Sequence, residues 1–84
     1  MSKIYAIKDQ AIEAFSQPFF VQAQGQAVRM FMDETKNEQS QLNKHPEDFE
    51  LWYLGEFSEQ DGVITAATNI ERVARAIDFM NKGA

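Results

Sequence analysis

The sequence predicts a small α+β domain, an antiparallel sheet of three or four strands with two helices packed on one face. Three observations point there. Phe49 to Ala66, FELWYLGEFSEQDGVITA, alternates with a strand's two-residue period on either side of turn chemistry. Lys3 to Lys8, KIYAIK, alternates as well, while Gly25 to Lys36 carries apolar residues at helical spacing. Runs of strand mixed with isolated helices favour an antiparallel sheet covered on one side.

KIYAIK reads as a central strand, because Ile4 and Ala6 face one way and Tyr5 and Ile7 the other. Asp9 to Ser16 reads as a turn or a single helical turn, being too short for a stable helix. Pro18-Phe19-Phe20-Val21 is a short strand, and its proline places it at an edge. In the helix Gly25 to Lys36, Ala27, Val28, Phe31, Met32 and Thr35 form the buried stripe, and Arg29 and Asp33 pair on the wet side. Asn37 to Lys44 is a polar loop with Leu42 as its anchor, and His45-Pro46-Glu47-Asp48 starts a single turn with proline at its first position.

In the hairpin, Phe49, Leu51, Tyr53 and Phe57 fall on one face and Glu50, Trp52, Leu54 and Glu56 on the other. Gly55 marks a bulge or a close backbone approach. Asp61-Gly62 supplies the positive φ of the turn, and Val63 to Ala66 returns. Thr68-Asn69 then caps a last helix with Ile70, Val73, Ala74 and Ile77 on one face, stopped by Asn81-Lys82-Gly83. A strand over Val73 to Phe79 is the rival reading.

The 84 residues make one domain, 1–84, whose core is thin; such a chain buries roughly 60–65% of its unfolded surface. A homo-oligomer is compatible with so thin a core. There is no cysteine, hence neither disulfide nor thiolate metal site. No apolar run is long enough to cross a bilayer, and Met1 to Ile4 is no signal peptide, so no membrane partner is expected.

Net charge is −5, unevenly spread. Nine acids from Asp33 to Asp61 stand against Lys36 and Lys44, and each end of the chain sums to +1. Phosphate neutralisation supplies most non-specific affinity for nucleic acid, so the acidic middle cannot be a DNA coat. Only a face built from the two ends could serve.

Catalysis finds little support. His45, with Glu47 and Asp48 after it, is the lone imidazole, and its ordinary reading is a solvated loop histidine. No glycine-rich phosphate loop is present, and no carboxylate sits in an apolar run that would raise its pKa. The expectation is a non-enzyme without metal, cofactor or small-molecule substrate.

Binding finds more. Tyr5, Phe19, Phe20, Trp52, Tyr53 and Phe57 could serve as stacking platforms for single-stranded bases, with Lys3, Lys8, Arg72, Arg75 and Lys82 on phosphates. The ordinary reading of Phe19, Phe31, Phe49 and Phe57 is core. Trp52 and Tyr53 point to opposite faces, so one of them is the more exposed. Arg72 and Arg75, three apart on the last helix, share a face, and such a pair is commonly just a solvated edge. The nucleic-acid-binding set is Lys3, Tyr5, Lys8, Trp52, Arg72 and Arg75. The other class is an acidic protein-interaction module, docking a basic viral or host factor through the middle without touching DNA.

The words KIYAIKDQAIEAF, QPFFV, AVRMF, LNKHPEDFELWYLGEF with its acidic-glycine turn, and VARAIDF run in order from Lys3 to Phe79. Together they resemble the small nonstructural protein of the fifth open reading frame of gokushoviruses, the microvirus branch of tiny single-stranded-DNA phages. The resemblance implies a DNA-binding or single-strand-synthesis protein that joins a replication complex in the bacterial cytoplasm and catalyses nothing. Its implied partners are single-stranded DNA or the viral replication complex. It assigns no role to individual residues.

Overall fold

The computed structural model describes residues 1–80 and measures 45 × 24 × 21 Å. It is the expected α+β domain. Five antiparallel strands, β1 (Ser2–Asp9), β2 (Ala14–Phe15), β3 (Phe19–Val21), β4 (Phe49–Phe57) and β5 (Ile64–Arg75), form one sheet. The helices are α1 (Gln24–Lys36) and the one-turn α2 (Gln41–Lys44); 3-10 turns follow α2 at Pro46–Asp48 and β5 at Ala76–Phe79. The order is β2-β1-β4-β5, with β3 also on β1. Strands β2 and β3 are short enough to share one side of β1, which explains a count above three or four.

KIYAIK is central, since β1 is hydrogen-bonded on both sides. QPFFV is the short edge strand, and Asp9 to Ser16 makes a tight turn in which the Asp9 carboxylate accepts from Ala11 N (3.0 Å) before β2 returns. Gln26 fixes the start of α1 by accepting from the backbone N of Gln22 and Ala23 at 2.8 and 3.0 Å. Its predicted stripe is the packed one: Ala27, Phe31 and Thr35 are buried, and Thr35 returns its hydroxyl to Phe31 O. Residues 41–44, expected as loop, wind into a turn because Ser40 caps Leu42 N; Leu42 is buried as the anchor. The core joins α1 to one sheet face through Tyr5, Leu51, Phe31, Leu42 and Ala76. No helix among the described residues is long and apolar enough to cross a membrane.

The hairpin turn is as expected. Gly62 has φ +75°, its N bonds Ser58 O, and Asp61 accepts from Val63 N. The last helix is not. Residues 69–75 continue β5, and only Ala76–Phe79 coils, as a 3-10 turn. A nine-residue strand whose second edge would otherwise stay open favours pairing over a local helix, and Ile64, Thr65, Thr68, Ile70 and Val73 are β-branched. The stop at Asn81-Lys82-Gly83 lies outside the described residues.

Three register shifts interrupt the pairing. At one of them Ala67 to Ile70 bulge out of β5 opposite Leu54, and the other two, each with one residue left over, change the faces. Between Ile4↔Gly55 and Tyr5↔Tyr53, Leu54 is left over; the extra residue inverts the alternation, so Phe57 leaves the Tyr53 side and shares a face with Phe20. Gly55 permits this. A Cβ there would run into Thr65 O and stand 3.0 Å from Ala66 Cα. Between Leu51↔Ala74 and Trp52↔Arg72, Val73 is left over in the same way.

Candidate functional site

Side chains paired directly across antiparallel strands share a face. On the face away from α1, one rung therefore reads Phe15, Lys8, Glu50, Arg75, and the next Ala6, Trp52, Arg72. The sequence reading placed Arg72 and Arg75 together on a helix. They do share a face, but on a strand, where residues three apart would normally oppose; the bulge at Val73 restores them to one side.

The Lys8 ammonium lies 5.5 Å from the Phe15 ring centre and 5.6 Å from that of Trp52. Those rings meet edge-to-face at 6.0 Å and 77°. Lys8 makes no ion pair among the described residues. Beneath them Glu50 is buried. Its carboxylate accepts from Trp52 Nε1 at 3.0 Å and from the Arg72 guanidinium at 3.3 Å. Burial alone would raise the Glu50 pKa, yet hydrogen bonds from Trp52, Gln10 and Arg72, with the Arg72 charge, bring it below the ordinary glutamate value. It stays ionised and orients both groups. Arg72 remains half exposed, as does Arg75, which Asp78 grips at 2.9 and 3.3 Å.

Farther along the same face Phe20 and Phe57 form a second edge-to-face pair at 5.5 Å. Ile4, Ala6 and Gly55, all buried, lie between the two aromatic pairs. The face is thus a floor of small and aliphatic residues with rings at both ends and cations at one. Asp33, Glu34, Glu38 and Glu47 stand exposed on the helical layer, away from it.

Of the six residues predicted for binding, Lys8, Trp52, Arg72 and Arg75 come together. Tyr5 does not: it is wholly buried on the α1 side, its hydroxyl donating to Gln24 Oε1, and stacks with Tyr53 and Phe19 as core. Its period on β1 sets it opposite Lys8, because neighbours one or three apart on a strand oppose. Lys3 shares that other side, 5.9 Å from the Tyr53 ring and paired with Glu56 at 4.0 Å. Lys82 lies outside the described residues. Sequence reasoning missed Phe15 and Glu50. The first was legible in Asp9-Gln10-Ala11, an aspartate-led turn that returns Phe15 opposite Lys8; the second has no local signal, as its partners lie across the sheet.

His45, Glu47 and Asp48 bring possible ligand atoms within 4.8 Å of one another, on an exposed turn. His45 and Glu47 are exposed and Asp48 partly so, and exposed acidic groups commonly cluster without an ion.

A family model described as "Phage ORF5 protein" matches residues 2–79. No curated protein and no solved structure matches the chain.

Proposed function

The chain belongs to the phage ORF5 protein family, and from that premise we propose that it is a nonstructural accessory protein of a small single-stranded-DNA phage. It acts in genome replication in the host cytoplasm, by binding single-stranded DNA along the open sheet face, and it catalyses no reaction. The gokushovirus likeness supplies the replication setting. The observation that carries the reading is the Lys8 ammonium seated between two partly exposed rings, beside an arginine that a buried carboxylate aims. Aromatic rings offer π-faces to any base, and cations beside them track the backbone, so recognition needs no sequence. Asp33, Glu34, Glu38 and Glu47 sit on the helical layer and do not oppose it, while Glu50 and Asp78, at the face itself, pair with Arg72 and Arg75 and leave Lys8 as its unpaired cation among the described residues.

Trp52 and Phe15 would take bases, with Phe20 and Phe57 farther along the strand, and Lys8, Arg72 and Arg75 would meet phosphates. Three such contacts give a log–log salt slope of about −2, at roughly 0.7 per phosphate on a single strand. Fluorescence anisotropy of a short labelled strand tests this. A fourfold rise in salt should weaken binding about 15–20-fold, and Lys8→Gln should lower the slope by about 0.7. Absence of binding at low salt refutes direct contact. It would leave the acidic interaction module, which the exposed carboxylates of the helical layer favour.

A further inference from the structure

The rung of Arg75, Glu50, Lys8 and Phe15 ends at β2, the last strand on that side of the sheet. There Phe15 also lines a cavity of about 300 Å³, walled further by Ile7, Ile12, Leu42 and Phe49. Leu42 is buried, Ile7 and Phe49 are half-buried, and Ile12 is 69% exposed. Single exposed apolar residues are ordinary, but this one borders an apolar cavity and sits on a strained turn. Its neighbour Glu13 has φ +55°, a left-handed conformation that side chains other than glycine's hydrogen rarely take. Two polar side chains share the lining. The Ser16 hydroxyl is engaged, accepting from Ile7 N at 3.1 Å and donating to Gln17 O at 3.2 Å. The half-buried Asp9 carboxylate accepts from Ala11 N through Oδ1 at 3.0 Å, which leaves Oδ2 with capacity to accept from a ligand.

We infer that this cavity takes one base of the bound single strand, and that the base is guanine. The inference rests on the DNA reading above and adds one base-specific position to a face that otherwise accepts any sequence. A strand that follows the rung across the sheet leaves it at Phe15, which belongs to both the face and the cavity. Apolar walls beside a carboxylate repel a phosphate, so it is the base that turns in, read along its Watson–Crick edge. A carboxylate accepts and does not donate, so the base that suits Asp9 carries adjacent donors. Guanine alone offers two, N1–H and the N2 amino group. Adenine and cytosine set one amino group beside a ring acceptor, and thymine sets its single N–H between two carbonyls. Each of those acceptors would meet the lone pairs of Asp9 and stay unpaired, which is costly in a half-buried site. Ile12 covers a face of the seated ring.

Fluorescence anisotropy with two labelled strands tests it: a short oligothymidine carrying one central guanine, and the same strand with adenine in that place. Both purines stack alike, so the comparison isolates the edge contact. Wild type should bind the guanine strand about 5–150-fold more tightly, the discrimination of one bidentate base contact. Asp9→Asn retains an acceptor for Ala11 N, so the circular dichroism spectrum should be unchanged, but its amide sets a donor against guanine and the preference should vanish or reverse. Ile12→Ser, at an exposed position, should fold as wild type and reduce the preference. Equal affinity of wild type for the two strands, or a guanine preference that survives Asp9→Asn, would overturn the inference and leave the DNA reading standing. Failure of both strands to bind at low salt would overturn the two together.

Discussion

Gly55 and Gly62 offer a paired test of why β4 bulges where it does. Both have positive φ, +156° and +75°, so an alanine is strained at either. At Gly62 a Cβ meets nothing within 4 Å, and the cost is the left-handed backbone alone, about 1–2 kcal/mol. At Gly55 the Cβ would run into Thr65 O, with Ala66 Cα at 3.0 Å and Ala67 N at 3.1 Å. All three are backbone atoms of the partner strand, which cannot swing aside as a side chain would. Gly55→Ala therefore adds an overpacking cost of about 1–3 kcal/mol. Both variants restrict the unfolded chain equally, so that effect cancels between them. A domain of this size is stable by roughly 4–13 kcal/mol, enough for both variants to fold. Thermal melts followed by circular dichroism should place Gly55→Ala about 8–16 °C below Gly62→Ala, taking 2 kcal/mol as a rough mid-value and about 4–8 °C per kcal/mol. Equal Tm values would refute the close approach of β4 to β5, and with it the reason Phe57 changes face.

Phe31→Ala empties the centre of the α1 stripe, where the ring is buried and meets Phe79 at 6.1 Å, and should cost about 3–5 kcal/mol in urea unfolding. Trp52→Ala should weaken single-stranded DNA binding by about 1–3 kcal/mol, roughly 5–150-fold by anisotropy, with its fold intact by circular dichroism. Glu50 has its pKa lowered in the folded state, so its stabilisation is present above the ordinary value of 4.5 and lost as pH falls through the lower folded value. Urea midpoints measured downward from pH 5 should fall more steeply in wild type than in Glu50→Gln; parallel slopes would contradict the ionised, hydrogen-bonded carboxylate.

Much of the fold was legible locally. The alternation of KIYAIK and FELWYL, the Asp61-Gly62 turn, and the α1 stripe are short-range patterns, and short-range sterics and burial enforce them. The anchoring of Leu42 and the proline start at Pro46 are of the same kind. Residues 69–77 were not legible, because Ile70, Val73, Ala74 and Ile77 fit a helical period and the force that overrides it is the open edge of β4, supplied from elsewhere in the chain. The site shows the same division. Its residue types could be named, yet which of them meet depended on parity along strands. Tyr5 went to the core beside Lys8 on the open face, and two single-residue bulges moved Phe57 and set Arg72 and Arg75 on one side. Short-range patterns set most of the segments that alternate, turn and coil; pairing between distant strands set which side each ring and cation faces, because one unpaired residue in a strand inverts everything after it, and where that residue falls is settled only by the neighbouring strand.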